Sequence, residues 1–253
     1  MRTLRDTWLI FQRSIVLTLR NPVWLVMGLM QPILYLVLFG PLLNGIAGMP
    51  GFPPGGAFNV FVPGILVMTA MFGSAFVGFG LCEEIREGVV ERMRVTPMSR
   101  FAMLLGRSLR DVVFLLAQAV ILVGLAVPFG LTIDAPGVLL SFGMLAMVGL
   151  VMSPISYALA LRLGSEDALA PTINAIAVPL LLLSGVMLPM SLAPAWLRTL
   201  ADLNPLYHAV SAIRDLFGAR FGDPEVATGL VILAVLAAVS MWVGARSFSR
   251  AAA

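Results

Sequence analysis

Residues 62–100 read VPGILVMTAMFGSAFVGFGLCEEIREGVVERMRVTPMSR, a long apolar run that leads directly into a short, densely charged segment. The protein has 16 basic and 13 acidic side chains, and eight of these 29 fall between residues 80 and 100. The chain is 60% hydrophobic and 11% charged, with a mean hydropathy of +1.00, whereas soluble domains carry about 25% charged residues. The sequence therefore predicts a membrane protein whose charged segment lies at the membrane surface.

Long uncharged stretches predict six membrane-spanning helices. A helix of about 20 apolar residues crosses about 30 Å of hydrocarbon, and a helix satisfies its own backbone in lipid. The first uncharged stretch, 21–82, is too long for one crossing, and the glycines and prolines of NGIAGMPGFPPGGAF (44–58) divide it. The predicted spans lie near 22–43, 59–82, 108–130, 137–161, 168–190 and 225–245. We predict a single all-α polytopic membrane domain over residues 1–253.

The arginines predict the orientation of these spans, because the chain has no lysine. With a cytoplasmic N-terminus, only Arg198, Arg214 and Arg220 fall outside, and the other 13 arginines lie in cytoplasmic segments. Cytoplasmic loops of membrane proteins are enriched in basic residues, so we expect both termini in the cytoplasm. No basic patch with interleaved aromatic residues indicates a nucleic-acid site, so none is expected among the partners.

Residues 2–20 are predicted to form an amphipathic helix in the cytoplasmic membrane interface. Apolar side chains recur at helical spacing on one face, namely Leu4, Trp8, Phe11, Ile15 and Leu19. Arginines occupy another face, and Asn21-Pro22 ends the helix. This helix is either a plain anchor or a sliding element that gates a pathway, and the sequence leaves both alternatives open.

Residues 191–217 are predicted to form two short external helices that are separated at Asn204-Pro205. The only histidine, His208, is interpreted as a solvated interfacial side chain and not as a metal ligand, because no ligand cluster surrounds it. The single Cys82 is interpreted as a small packing residue, since it has no cysteine partner for a disulfide.

The second span presents two distinct faces. Ala70, Ser74 and Gly78 are four residues apart and allow a neighbouring helix to approach closely. Phe72, Phe76 and Phe79 form an aromatic stripe that serves either helix packing or a route for a flat, apolar substrate. Methionines add to the apolar surface of the spans, which favours apolar or amphipathic cargo over ions.

The sequence lacks motifs for catalysis, metal binding or nucleotide binding. A P-loop needs a lysine to hold phosphates, and this chain has none. Ion-driven transporters place ionisable groups deep in their spans, whereas Arg107, Arg110 and Asp111 stand at the start of the third span, where they can snorkel or pair. We interpret these three as an interfacial anchor. We expect no enzyme, and we keep three hypotheses: a passive channel or scaffold, an ion-coupled transporter, and a permease driven by a separate motor.

The charged segment itself is predicted to form a short helix over residues 83–97. Glu83, Glu87 and Glu91 would share one stripe, provided that a helix tolerates Gly88. Thr96-Pro97 would end this helix, and Ser99 is a credible N-cap for the next one. The dense acidic stripe favours a docking surface for a cytoplasmic partner over a solvated loop.

The sequence resembles the permease subunits of type-2 ABC exporters and is similar to their daunorubicin-resistance branch. RNPVWLVMGLMQPILYLVLFG (20–40), the stretch 62–100, SGVMLPMSLAPAWLRTLADLNPLYHAVSAIRDLF (184–217) and the six-span layout carry this resemblance. Its most specific element is the pattern E-x-x-x-G-x-x-E-R, formed by Glu84, Gly88, Glu91 and Arg92 and followed by VTPMSR.

The resemblance implies that 83–97 is a coupling helix that docks into a separate ATP-binding subunit and that RLGSED (162–167) makes a second contact. The implied contact residues are Glu83, Glu84, Arg86, Glu87, Glu91, Arg92 and Arg94, with Ser165, Glu166 and Asp167 at the second contact. ATP and magnesium would bind to that subunit, so this chain would hold no cofactor. The resemblance also implies a second, identical permease copy, a bacterial inner membrane, external re-entrant helices over 191–217, and export of a drug or antibiotic, a lipid or a lipid-linked glycan.

Overall fold

The computed structural model describes residues 2–20, 23–45, 56–89, 99–187 and 189–250, which contain helices and no strand. The helices of these ranges are α1 Arg2–Arg20, α2 Val23–Asn44, α3 Ala57–Ala75, α4 Gly78–Arg86, α5 Arg100–Ala126, α6 Ala135–Leu163, α7 Glu166–Leu182, α8 Ala195–Ala201, α9 Pro205–Phe217 and α10 Pro224–Arg250. Single 3₁₀ turns follow α5 at Val127–Phe129 and precede α8 at Met190–Leu192. The all-α prediction is confirmed.

Four segments of the described chain are long and apolar enough to cross a membrane: Ala57–Arg86, Arg100–Phe129, Ala135–Leu163 and Pro224–Phe248. They coincide with the second, third, fourth and sixth predicted spans. The helices Thr3–Arg20 and Leu25–Gly40 are bent by 71° to each other and give a fifth segment when they are counted as one. The exact number of six spans therefore stays a prediction.

Helix α7 differs from the predicted fifth span, 168–190. It is 17 residues long and ends at Leu182, with Pro171 and Pro179 inside it. Proline removes a backbone donor, and Gly185 then adopts φ +71°, a left-handed conformation that glycine accepts without strain. The predicted C-terminal end of this span was wrong because these two features turn the chain before the apolar run is finished.

Helix α3 lies at the centre of the bundle, and almost all of its residues are buried against α2, α5, α6 and α9. Ala70 and Ser74 are fully enclosed, at 0% and 1% exposure. A Cβ atom placed on Gly78 would lie 2.7 Å from the Ser156 hydroxyl of α6. The predicted close approach along Ala70, Ser74 and Gly78 is confirmed, and Cys82 is buried on the same segment.

Helix α1 packs along α5 through a narrow face. A Cβ atom on Gly106 would lie 2.7 Å from the Thr7 carbonyl oxygen, and Thr7 and Ile10 are buried there. The apolar side chains of Leu4 and Trp8 point away from the bundle and are 76% and 57% exposed. The predicted helix over 2–20 is confirmed, and its exposed apolar face is of the kind that lies in a membrane interface.

Candidate functional site

The charged helix α4 is attached to the buried helix α3 through a clamped break. Between Ala75 and Gly78 the chain leaves the helical hydrogen-bond pattern. The Ser156 hydroxyl of α6 accepts a hydrogen bond from the Gly78 amide at 2.9 Å and donates one to the Ala75 carbonyl. Because one buried side chain satisfies both ends of the break, α4 is positioned by the spans and not by a free loop.

Helix α4 ends earlier than the predicted helix over 83–97. Its last residue is Arg86, the Glu87 amide donates to the Glu83 carbonyl at 3.0 Å, and Gly88 follows with φ +70°. A left-handed glycine after the last turn is a common helix end. The condition that Gly88 be tolerated inside one continuous helix is therefore not met. Glu91, Arg92 and Arg94 lie outside the described residues.

Five side chains form a polar cluster beside α4: Glu84, Arg107, Arg110, Asp111 and Tyr157. Arg107 of α5 donates through Nη2 to Glu84 Oε2 of α4. The Tyr157 hydroxyl of α6 donates to Asp111 Oδ2 at 2.7 Å, and Arg110 Nε lies 3.0 Å from Asp111 Oδ1. The polar cluster thus joins α4, α5 and α6 by charged contacts.

Arg110 extends the polar cluster to the amphipathic helix α1, because its Nη1 donates to the Thr18 hydroxyl at 3.2 Å. The interpretation of Arg107, Arg110 and Asp111 as an interfacial anchor allowed these residues either to snorkel or to pair, and the structure shows that they pair. Arg107 and Asp111 are only 6% and 4% exposed, so they pair inside the bundle and do not snorkel. Charges that are buried in this way are retained only when each has a partner.

The second predicted contact lies next to α4. Arg86 Nη2 is 3.1 Å from Glu166 Oε1, and both side chains are largely solvated, at 65% and 38% exposure. Ser165 caps α7, since its hydroxyl accepts from the Ala168 amide at 3.3 Å. The structure therefore brings the two predicted contact segments together, although an exposed ion pair stabilises them by only about 0–1 kcal/mol.

The described contact residues divide into two groups. Glu84 and Arg86 are used in ion pairs with Arg107 and Glu166. Glu83, Glu87 and Asp167 are exposed, and none of the three forms an ion pair with any residue in the described ranges. We call these three carboxylates the acidic face, because they are available to a partner without breaking an internal contact.

The predicted aromatic stripe is a stack of rings. Phe72 and Phe76 have centroids 6.0 Å apart and Phe76 and Phe79 have centroids 5.4 Å apart, with 11° between the ring planes in both pairs. All three side chains are partly buried. Such parallel pairs stabilise the break between α3 and α4. A role of these rings in substrate passage stays a prediction.

At the other end of α3, helix α9 is bonded into the bundle. Arg214 Nε donates to the Val60 carbonyl at 2.8 Å, and its Nη2 donates to the carbonyls of Gly185 at 2.7 Å and Val186 at 3.2 Å. The predicted separation at Asn204-Pro205 is confirmed, since α8 ends at Ala201 and α9 begins at Pro205. The sequence placed Arg214 only as an outside arginine and carried no signal of its carbonyl partners.

His208 is more enclosed than predicted. Its Nδ1 lies 3.3 Å from Glu225 Oε2 and its Nε2 lies 3.0 Å from the Asp202 carbonyl oxygen, and the side chain is 16% exposed. The interpretation as a solvated side chain was wrong, because His208 connects α9 to the start of α10. In the described part of the chain, no three His, Cys, Asp or Glu side chains are grouped so that they could hold a metal ion.

The chain matches the family model described as ABC-2 type transporter over residues 5–217. It is 27% identical over 247 residues to the daunorubicin resistance ABC transporter permease protein DrrB1 of Streptomyces coeruleorubidus, which covers 94% of this chain and 82% of that protein. It is 28% identical over 216 residues to a protein of Cyanophora paradoxa named as a transport permease, ycf38, with coverages of 85% and 74%. Identity to a Mycobacterium tuberculosis protein named as a doxorubicin resistance ABC transporter permease, DrrC, is 22% over 238 residues, with coverages of 91% and 84%. The chain belongs to the ABC-2 type transporter family.

Proposed function

We propose that this chain is the permease subunit of an ATP-driven ABC exporter that moves a hydrophobic or amphipathic substrate out of the cytoplasm or the inner leaflet. The observation that carries the proposal is the attachment of α4, which continues the buried helix α3 and is joined by ion pairs to α5 and α7. Packed helices move as units, so a force on α4 reaches the spans. Family membership implies an ABC ATPase subunit as the partner.

We infer that the acidic face, Glu83, Glu87 and Asp167, contacts the ATPase subunit. Glu91, Arg92 and Arg94 are proposed to complete this contact. Glu84 and Arg86 are proposed to transmit the motion, because their partners lie on the permease itself. ATP and magnesium would bind to the ATPase, whose facing surface we expect to be basic, since it must compensate three exposed carboxylates.

The contacts of α4 define a route for the motion. Ser156 holds the start of α4 against α6, Glu84 connects it to α5, and Arg86 connects it to α7. Arg110 and Thr18 then couple α5 to the amphipathic helix α1. In this proposal, closure of two ATPases tilts these helices in each of two identical permease copies and opens a pathway between them. We place both termini in the cytoplasm of a bacterial cell, with the spans in its inner membrane.

The substrate class is inferred from two sources. The relatives named above carry resistance to daunorubicin and doxorubicin in their names. The ring stack of Phe72, Phe76 and Phe79 offers an aromatic surface to a flat molecule. These observations favour a drug-like or antibiotic cargo over a lipid or a lipid-linked glycan.

The test is charge reversal of the acidic face in the permease co-expressed with its ABC ATPase subunit. We expect the double variant Glu83→Arg, Glu87→Arg to insert normally but to lose co-purification of the ATPase and drug-stimulated ATP hydrolysis. The matched control is Asp202→Arg, which reverses an exposed carboxylate at the far end of the bundle. Unchanged co-purification and transport in the double variant would contradict the proposed contact. Transport that stops with an uncoupler but survives ATP depletion would instead identify an ion-coupled transporter.

A further inference from the structure

A small polar cavity lies under α9, at the opposite end of α3 from the polar cluster. Its volume is about 150 Å³, and it is enclosed by α9, the start of α3 and the 3₁₀ turn before α8. Its polar lining consists mainly of Asn59, Tyr207, Ser211, Arg214, Asp215 and Arg220. We call it the α9 cavity.

The side chains that line the α9 cavity carry two positive charges, on Arg214 and Arg220, and one negative charge, on Asp215. The carboxylate of Asp215 accepts from Arg220, whose Nε lies 3.1 Å from Asp215 Oδ1. The guanidinium of Arg214 is bonded only to neutral carbonyls. No carboxylate of the described residues lies within ion-pair distance of Arg214, and the nearby Asp215 makes its direct ion pair with Arg220. Burial lowers the pKa of Arg214 to about 10, which still leaves it protonated at neutral pH.

Three residues that line the α9 cavity carry donors that make no hydrogen bond within the described ranges. Two nitrogens of Arg214, Nε and Nη2, make the carbonyl contacts, and Nη1 makes no hydrogen bond within the described ranges. Tyr207 and Ser211 also line the cavity, and their hydroxyls likewise have no hydrogen-bond partner among the described residues. These donors belong to residues that border one cavity, so a single anionic acceptor that enters it could bind to them together.

We propose that the α9 cavity binds one anionic group, a phosphate or a carboxylate, through Arg214, Tyr207 and Ser211. Drug-sized ligands need cavities of about 300–1,000 Å³, so this space holds a head group and not a whole amphiphile. The apolar part of the molecule would lie outside the cavity, along the bundle. The head group belongs either to a membrane lipid or to the cargo. With the orientation proposed above, the α9 cavity would face the outer leaflet; the binding itself does not depend on that orientation.

The test is thermal unfolding of the purified full-length chain in an uncharged detergent. The probes are inorganic phosphate, dioctanoyl phosphatidylglycerol and dioctanoylglycerol, which has the same acyl chains without a phosphate. We expect phosphatidylglycerol to raise the unfolding temperature in a saturable way and dioctanoylglycerol to leave it unchanged. A rise with inorganic phosphate alone would show that the anionic group suffices, whereas a rise with phosphatidylglycerol only would identify an amphiphile. Equal effects of phosphatidylglycerol and dioctanoylglycerol would overturn the proposal.

Two variants localise the effect. Arg214→Gln removes the charge, and Ser211→Leu fills the cavity while it keeps the carbonyl contacts of Arg214. Both variants should abolish the rise in unfolding temperature with phosphatidylglycerol. If Arg214→Gln does not fold, Ser211→Leu alone tests the site. Arg162→Gln, which removes an exposed arginine at the end of α6, should keep the full rise. A rise that persists in Ser211→Leu would refute the site. Because no ATPase is present, this outcome is independent of the proposed coupling.

Discussion

Arg107 and Glu84 show how charged side chains can be held inside a membrane bundle. The side chain of Arg107 is 7% exposed and that of Glu84 is 26% exposed, and the two belong to helices that are separated by the chain segment after Gly88. Removal of one partner of a buried pair costs about 3–5 kcal/mol, because the other charge is left uncompensated. Each residue therefore contributes part of its stabilising effect through the other.

This mutual dependence predicts a coupling that a double-mutant cycle can measure. Glu84→Gln and Arg107→Gln should each lower the free energy of unfolding, and the double variant should lose less than the sum, by about 1–3 kcal/mol. The exposed pair of Arg86 and Glu166 is the control, and its cycle should give at most about 1 kcal/mol. Unfolding of the purified chain by denaturant provides the measurement. Additive losses at Glu84 and Arg107 would show that the buried ion pair does not form.

The polar cluster could be predicted from the sequence only in part. The sequence shows that Arg107, Arg110 and Asp111 are charged residues at the start of a span, and this placement is confirmed. Their partners are not readable, because Glu84 is 23 positions away from Arg107 and Tyr157 is 46 positions away from Asp111. The contact depends on how α4 and α6 pack on α5, which apolar periodicity alone does not fix.

At the scale of elements, Gly88 decides where α4 ends. Its φ of +70° is strained for a residue with a Cβ atom, at a cost of about 1–2 kcal/mol. Gly88→Ala should therefore favour continuation of the helix and change the direction of the segment that follows, with loss of ATPase co-purification. Gly80→Ala is the matched control, because a Cβ there meets no atom within 4 Å and alanine favours a helix. Equal co-purification of both variants would show that the turn at Gly88 is not needed for coupling.

Helix positions were easier to predict than helix ends. Apolar length alone located α3, α5, α6 and α10, and Asn204-Pro205 located the separation of α8 from α9. The break after α4 and the early end of α7 differ from the predicted continuous helices, and each has one glycine with a positive φ close after the last turn, Gly88 or Gly185. The predicted end of the charged helix at Thr96-Pro97 lies outside the described residues. A glycine can either continue a helix or end it. Which of the two occurs depends on the tertiary contacts of the segment that follows, and these cannot be read from the sequence.

The whole molecule has two ends with different chemistry. One end carries the polar cluster and the acidic face, and there Arg86 of α4 meets Glu166 of α7. The other end carries the α9 cavity, and there the Asn59 side chain accepts from the Thr132 amide at 3.0 Å. Connections between successive helices thus lie at alternating ends of the bundle, as expected for helices that cross the membrane back and forth. The distribution of arginines predicts which end faces the cytoplasm, and this orientation stays a prediction.

That orientation predicts which exposed positions react with a membrane-impermeant maleimide. Cys82 is buried, so a Cys82→Ala background should remove the native thiol with little effect on packing. In this background, Asp202→Cys lies between α8 and α9 and should be labelled in intact cells. Asp167→Cys, which replaces a member of the acidic face, should be labelled only after permeabilisation. Both carboxylates are exposed in the structure, so access across the membrane and not burial decides the result. Labelling of Asp167→Cys in intact cells would place the acidic face outside, where no ATPase can reach it, and would contradict the exporter proposal.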